Sequence, residues 1–298
     1  MADIRLIASD IDGTIIPFGG RISQATLDCI AECRRRGILF ALFSGRCYPD
    51  ALAVAQNAGI YAPLVVANGG CVHDEDGRIL REFVMTPEES RVAFDIIKDC
   101  GWMLTSYVRG KVFRMNIRCM APKIPWIGIE PGKEDDARRA SAGKPGCRSW
   151  LKGWEGRFEI VDDDPDRLEA EGHDRVYKYE VYSKDPDLLA RLSRKLTEAG
   201  LNCTSSVSTN IEIMSAQAGK GFAVEWLAEH IGATREQTMA FGDNTNDIQM
   251  LEAVGWPVAV GNAVPELKTA ARLIAPDCDQ DGVARTIARI AFGREDSL

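Results

Sequence analysis

Two aspartates two residues apart stand in the run Ser9-Asp10-Ile11-Asp12-Gly13-Thr14, directly after residues 4–8, which are apolar except for Arg5. That apolar stretch reads as a buried strand. The carboxylates then fall at its carboxyl end, where open α/β sheets place their ligands. Acids gathered there raise one another's pKa unless a cation offsets them. The simplest chemistry for such a pair is a bound divalent metal and a reaction at a phosphate. Further groups sit at predicted strand ends or helix starts: Ser44 in Ser44-Gly45-Arg46, Lys220, and Asp243 with Asn246 and Asp247. Parallel strands bring their carboxyl ends to one edge of a sheet, so these distant residues can converge. Acids, an amine, a hydroxyl and glycine turns suit a hard cation with oxygen ligands and a phosphoryl group facing a lysine point charge.

Taken singly, each signal is modest. The pattern D-x-D-G-T also arises in unrelated turns, Lys220 alone reads as a solvated helix-start lysine, and Asp243-Asn244 alone reads as a helix N-cap. Their joint occurrence in order, behind apolar strands and with glycines, carries the weight. Arg46 has two readings side by side: a substrate contact, or a loop arginine paired with a surface acid. Asn68 reads as a turn residue or one set just behind the site. Arg34, Arg35 and Arg36 read as a helix end closed by Gly37, not as a phosphate site. The acidic run of residues 162–166 lacks the glycine and closing glutamate of a calcium loop and reads as a solvated turn. Trp126, Trp150 and Trp154 have two readings, lining a substrate pocket or packing the core of the inserted domain, with packing favoured, and the histidines lie away from the motifs.

The elements that must bring these groups together are legible in outline. Ser23 reads as the N-cap of a helix carrying Leu27, Ile30 and Ala31 on one stripe. Residues 38–43 and 64–67 read as buried strands ending at Ser44 and Asn68, and Asp76-Gly77 marks a hairpin between residues 72–73 and 79–83. After Phe83 the pattern changes: a helix at 87–99, strands at 103–107, 111–115 and 176–182, and an amphipathic helix at 186–199. Residues 120–157 are rich in Pro, Gly, Lys and Trp with weak periodicity and give no assignment. Strand–helix alternation returns with strands at 211–214, 238–241 and 257–260 and helices at 220–230 and 245–254. The expected fold is α/β, a Rossmann-like parallel-sheet core formed by residues 1–83 and 209–298. An α/β (α+β) cap domain is expected to be inserted at 84–208.

Composition bounds the possibilities. The 298 residues are 45% hydrophobic and 27% charged, and the length suits one large domain or two unequal ones. Lys and Arg total 36 against 44 Asp and Glu, for a net charge of −8. No basic footprint favours nucleic acid, while a small anionic substrate needs only a locally positive pocket. Nine scattered cysteines without a C-x-x-C read as reduced thiols, which suits a cytoplasmic protein. Nothing at the start reads as a signal peptide. The most apolar run, residues 38–43, is too short to cross a bilayer, so no membrane partner is expected. Homo-oligomerisation is left open.

In type, order and spacing the motifs resemble those of the haloacid dehalogenase-like superfamily of phosphohydrolases, in particular the Cof-type subfamily with its type IIB cap. Asp10-Ile11-Asp12-Gly13-Thr14 is similar to the first family motif and Ser44-Gly45-Arg46 to the second. Lys220 within Ala218-Gly219-Lys220-Gly221 is similar to the third, and residues 242–251 to the fourth. Gly261-Asn262-Ala263 and Asp281-Gly282-Val283-Ala284 resemble the family's C-terminal part. The resemblance implies that Asp10 is a nucleophile forming an aspartyl-phosphate. It makes Asp12 the general acid/base and, through its backbone carbonyl, a ligand of Mg2+ together with Asp10 and Asp243. Ser44, Gly45, Arg46, Lys220 and Asn246 would bind the phosphate, with Asp247 and Asn68 behind them. The implied activity is a Mg2+-dependent phosphatase acting on a small phosphorylated metabolite, with sugar phosphates first. A phosphomutase or phosphotransferase would share the aspartyl-phosphate step. A non-catalytic protein that only holds a phosphorylated ligand would have no need of both Asp10 and Asp12.

Overall fold

A computed structural model of the chain describes residues 2–97, 103–108, 111–116, 158–160 and 175–294. Residues 120–157 with their three tryptophans, the acidic run at 162–166 and His173 lie outside the described residues. The chain divides into two compact units, residues 1–83 with 217–298, and residues 84–216.

The first unit opens with β1 (Leu6–Asp10), buried along its whole length. In α1 (Gln24–Arg35), Ser23 caps the first turn by accepting the Thr26 N–H at 3.1 Å. Arg35 and Arg36 close that helix by pairing with Glu32, so this basic run serves the helix end. β2 (Leu39–Phe43), α2 (Tyr48–Ala58), β3 (Leu64–Val66) and the hairpin of β4 (Cys71–His73) and β5 (Ile79–Glu82) follow. The inserted unit holds α3 (Pro87–Ile97), β6 (Met103–Val108), β7 (Lys111–Asn116), β8 (Phe158–Ile160) and β9 (Val176–Tyr182). It ends with α4 (Pro186–Glu198), β10 (Asn202–Thr204) and β11 (Asn210–Met214). The chain then rejoins the first unit through α5 (Lys220–His230), β12 (Thr238–Gly242), α6 (Ile248–Glu252) and β13 (Trp256–Ala259). It finishes with α7 (Pro265–Ala270), β14 (Leu273–Ile274) and α8 (Gly282–Ile290).

Among the described residues the first unit carries one eight-stranded sheet in the order β14-β13-β12-β1-β2-β3-β4-β5. All neighbours are parallel up to β3, and the β4–β5 hairpin adds an antiparallel edge. Register does the positioning. Asp10 lies opposite Phe43 of β2, and Ser9 lies opposite Phe241 of β12. The chain just beyond those partners, at Ser44 and Asp243, therefore emerges on either side of Asp10. This is the Rossmann-like arrangement that the strand–helix alternation predicts.

The inserted unit has a six-stranded sheet, β10-β11-β9-β6-β7-β8, antiparallel except for β7 and β8. One face packs Tyr179, Val181, Ile211 and Ile213 against Phe94, Leu189, Leu192 and Leu196 of α3 and α4. Residues of the opposite parity carry charge: Lys178 Nζ donates to Glu180 Oε1 and to Glu212 Oε1, both at 2.6 Å.

Two expectations need correction. Strand 210–214 belongs to the inserted unit, pairing with β9 and β10, so the chain returns to the first unit at 217 and not at 209. Its alternation marks it as a strand without naming its sheet, and Ile211 and Ile213 complete the core under α3 and α4. The single helix expected at 245–254 is instead a 3-10 turn at Thr245–Asp247 followed by the short α6. Among the described residues, the cysteines at 29, 33, 47, 71, 203 and 278 form no disulfide. Among the described residues no helix is long and apolar enough to cross a membrane.

Candidate active site

Asp10 is the last residue of β1 and Lys220 the first of α5, and both side chains are buried. Lys220 Nζ donates to Asp10 Oδ1 at 2.5 Å and to Asp247 Oδ1 at 2.5 Å. The other oxygen of Asp247 accepts the backbone N–H groups of Asp243 at 3.0 Å and Asn244 at 3.1 Å. Asp247 thus folds the loop after β12 while it steadies the ammonium. Asp243 accepts from the Thr14 hydroxyl at 3.1 Å. Gly13 makes that approach feasible: its φ is +85°, and a Cβ there would lie 2.3 Å from Asp243 Oδ2. Asn262 fixes the Gly13 turn from behind, donating to the Gly13 carbonyl at 2.8 Å and accepting the Cys278 N–H at 2.8 Å.

The electrostatics of this cluster favour a cation. Burial raises the Asp10 carboxyl well above its ordinary range, Lys220 opposes that, and the charges of Asp247 and Asp243 add to it. Asp243 is pushed up to about 7, by burial first and by Asp247 next. Lys220 is raised by Asp10 and Asp247 against the burial that lowers it. Three carboxylates face one ammonium, so ionising all of them in this desolvated site leaves an excess of negative charge for a cation to offset. One oxygen from each of Asp10, Asp243 and Asp247 lies within 4.8 Å of the others. An all-oxygen donor set with surplus charge fits a hard divalent ion. The carboxylate group differs from the predicted ligands Asp10, Asp12 and Asp243 by bringing in Asp247. Both Asp247 oxygens already hold protein donors, so its main work is on Lys220 and the backbone.

The Asp12 carboxylate instead faces Arg46. Arg46 Nε donates to Asp12 Oδ2 and Nη2 to Asp12 Oδ1, each at 2.7 Å, with about two-fifths of each side chain exposed. Of the two sequence readings of Arg46, a pairing with an acid is therefore present, but the acid belongs to the first motif. The Arg46 N–H donates to Ser44 Oγ at 3.1 Å, which tightens the loop after β2. Asn68 is buried, and its Oδ1 accepts from Asn246 Nδ2 at 3.3 Å. A Cβ at Gly45 would sit 3.0 Å from that same oxygen.

The structure thus brings Asp10, Lys220, Asp243 and Asp247 into one cluster, joins Asp12 to Arg46, and joins Asn68 to Asn246. Thr14 and Asn262 have site contacts that the sequence reading quotes only as motif letters. A hydroxyl just after a glycine turn was the signal for Thr14. Nothing local marks Asn262, whose partners Gly13 and Cys278 are remote along the chain or across a turn.

Comparison with known proteins gives the family. The family described as haloacid dehalogenase-like hydrolase matches residues 7–287. A Bacillus subtilis (strain 168) protein named phosphatase YwpJ is 28% identical, the match covering 96% of this chain and 100% of that one. The 5-amino-6-(5-phospho-D-ribitylamino)uracil phosphatase YwtE of the same organism is also 28% identical, over 98% of this chain and 99% of its own. A solved haloacid dehalogenase-like hydrolase from B. subtilis superposes with a TM-score of 0.79 at 24% identity, covering 95% of this chain and 99% of that one. The chain belongs to the haloacid dehalogenase-like hydrolases, in their Cof-type branch.

Proposed function

We propose that this phosphatase hydrolyses a small phosphorylated metabolite, a sugar or polyol phosphate first, through an aspartyl-phosphate on Asp10. The observation that carries the reading is the position of Asp10: at the end of β1, one oxygen held by Lys220, with Asp243 beside it. With Oδ1 fixed by the ammonium, Oδ2 attacks phosphorus, and the bond from phosphorus to the leaving alcohol breaks. Asp12 gives its proton to the departing oxygen. It then takes a proton from the water that attacks the aspartyl-phosphate, which frees inorganic phosphate and regenerates Asp10. Lys220 and the Ser44 hydroxyl carry the charge that spreads over the phosphoryl oxygens, and Asn246 helps seat them. Asp10, the Asp12 backbone carbonyl and Asp243 would hold Mg2+, which supplies Lewis-acid neutralisation of the phosphoryl charge.

The ribityl phosphate in the name of the YwtE relative supports a phosphate carried on a hydroxylated chain. The test is turnover of a panel of phosphomonoesters with Mg2+, reading free phosphate. Asp10→Asn is expected to abolish release while leaving the fold intact. Phosphate release by that variant would overturn the assignment. Isomerised substrate without free phosphate from the wild type would make the protein a mutase on the same core.

A further inference from the structure

Between β3 and β4 the backbone takes consecutive left-handed residues: Ala67 at φ +52°, Asn68 at φ +54° and Gly69 at φ +92°. Glycine adopts this region freely and asparagine tolerates it, but alanine does so rarely. Ala67 and Asn68 are both buried, 1% exposed, so solvent does not shape this turn. Strain of this kind persists only where the surroundings impose it.

The surroundings are the motif segments of the active site. The Ala67 N–H donates to the Arg46 carbonyl at 2.8 Å, and the Asn68 N–H to the Ser44 carbonyl at 2.9 Å. The Asn68 side-chain oxygen lies against Gly45 and accepts from Asn246. Gly69 passes so close to the start of α5 that a Cβ would lie 2.2 Å from the Gly219 carbonyl oxygen and 2.8 Å from the Lys220 nitrogen. One strained turn therefore touches the Ser44–Arg46 loop, the Asn246 loop and the backbone of Lys220.

We propose that the Ala67–Gly69 turn is the positioning element of the phosphoryl pocket, with Asn68 its central residue. It sets Ser44, Lys220 and Asn246 in register with one another, and its strain is retained because that register requires it. Asn68 acts through Gly45 and Asn246 and not on the reacting atoms. The proposal rests on the phosphatase reading above.

Asn68→Gly tests it, because glycine keeps the left-handed backbone and removes only the amide. The full-length protein is assayed on a phosphomonoester that the wild type hydrolyses, alongside inhibition by inorganic phosphate and a thermal melt. The expected result is a melting temperature close to wild type, kcat lower by at least about tenfold, and a phosphate inhibition constant higher by at least about tenfold. A change of less than about tenfold in either kcat or the phosphate inhibition constant would overturn the proposal. Should Asn68→Gly fail to fold, Ala67→Gly relieves the strain and keeps every site side chain. It is expected to lower kcat several-fold with no loss of melting temperature, and an unchanged kcat counts against the proposal. A wild type that hydrolyses no phosphomonoester removes the phosphatase reading and this inference with it. An active wild type beside an unimpaired Asn68→Gly removes this inference alone.

Discussion

Arg46 grips Asp12 with two parallel donors, and this geometry constrains what Asp12 can do. Both oxygens of that carboxylate are taken up by guanidinium donors, so neither can reach a leaving oxygen while the fork stays closed. To serve as the proton donor, Asp12 must leave that fork. An incoming phosphoryl group offers the same guanidinium an acceptor edge of the same kind. The pair is partly solvated, so its loss costs the fold little, about 1 kcal/mol or less. Arg46→Ala is therefore expected to melt near the wild-type temperature while kcat/KM falls by about 10²-fold. Arg46→Lys is expected to recover little, since an ammonium lacks the planar pair of donors. Steady-state kinetics beside a thermal melt separates the two effects; a parallel fall in both would mean the pair is structural. The type and place of Arg46 are visible in the sequence, but its partner is not. Asp12 is thirty-odd residues away, and only the β1–β2 register brings the two loops together.

Secondary-structure elements were legible where a local period or cap specifies them. Ser23 caps α1 as expected, α5 spans Lys220–His230 as expected, and the hairpin forms across Asp76-Gly77. What stayed hidden depends on distant neighbours. Strand 210–214 carries no mark of its sheet, and Ala67 gives no sign of a left-handed backbone because packing against the motif loops imposes it. Gly13 shows the same dependence with a measurable consequence. Its positive φ and its closeness to Asp243 make any Cβ both strained and in collision with the carboxylate. Mg2+ at a hundredfold excess over its Kd is expected to stabilise the wild type by about 2.7 kcal/mol. That increment corresponds to a rise of very roughly 5–10 °C in melting temperature, reversed by EDTA. Gly13→Ala is expected to melt lower and to lose the Mg2+-dependent increment, because Asp243 is pushed from its place. A full Mg2+ response in this variant would show that Asp243 does not hold the ion.

The whole molecule has two separate cores, and each unit carries its own buried charge network. In the inserted unit Lys178 lies between Glu180 and Glu212, and the Tyr182 hydroxyl donates to Glu180 at 3.0 Å. Burial raises the Glu180 carboxyl to about 7, with Lys178 opposing and Glu212 reinforcing the rise. Unfolded, the same carboxyl returns to its ordinary value of 4.5. Between these two pH values the native state binds more protons than the unfolded chain, so stability falls as pH rises. The contribution of Glu180 is complete below its ordinary value and is lost as pH passes through about 7. Lys178 is also raised, but its contribution disappears only above the ordinary lysine range, outside this window. The inserted unit should thus weaken between mildly acidic and neutral pH, by on the order of 3 kcal/mol at most. Hydrogen exchange reads this directly: amides of β9 and β11 should exchange faster from opening as pH climbs, after correction for the intrinsic rate. Glu180→Gln removes the titrating proton and keeps Glu212 opposite Lys178, so its stability should be nearly flat across the same interval. If the wild-type profile were flat as well, or rose with pH, Glu180 would be ionised in the native network and held there by Lys178.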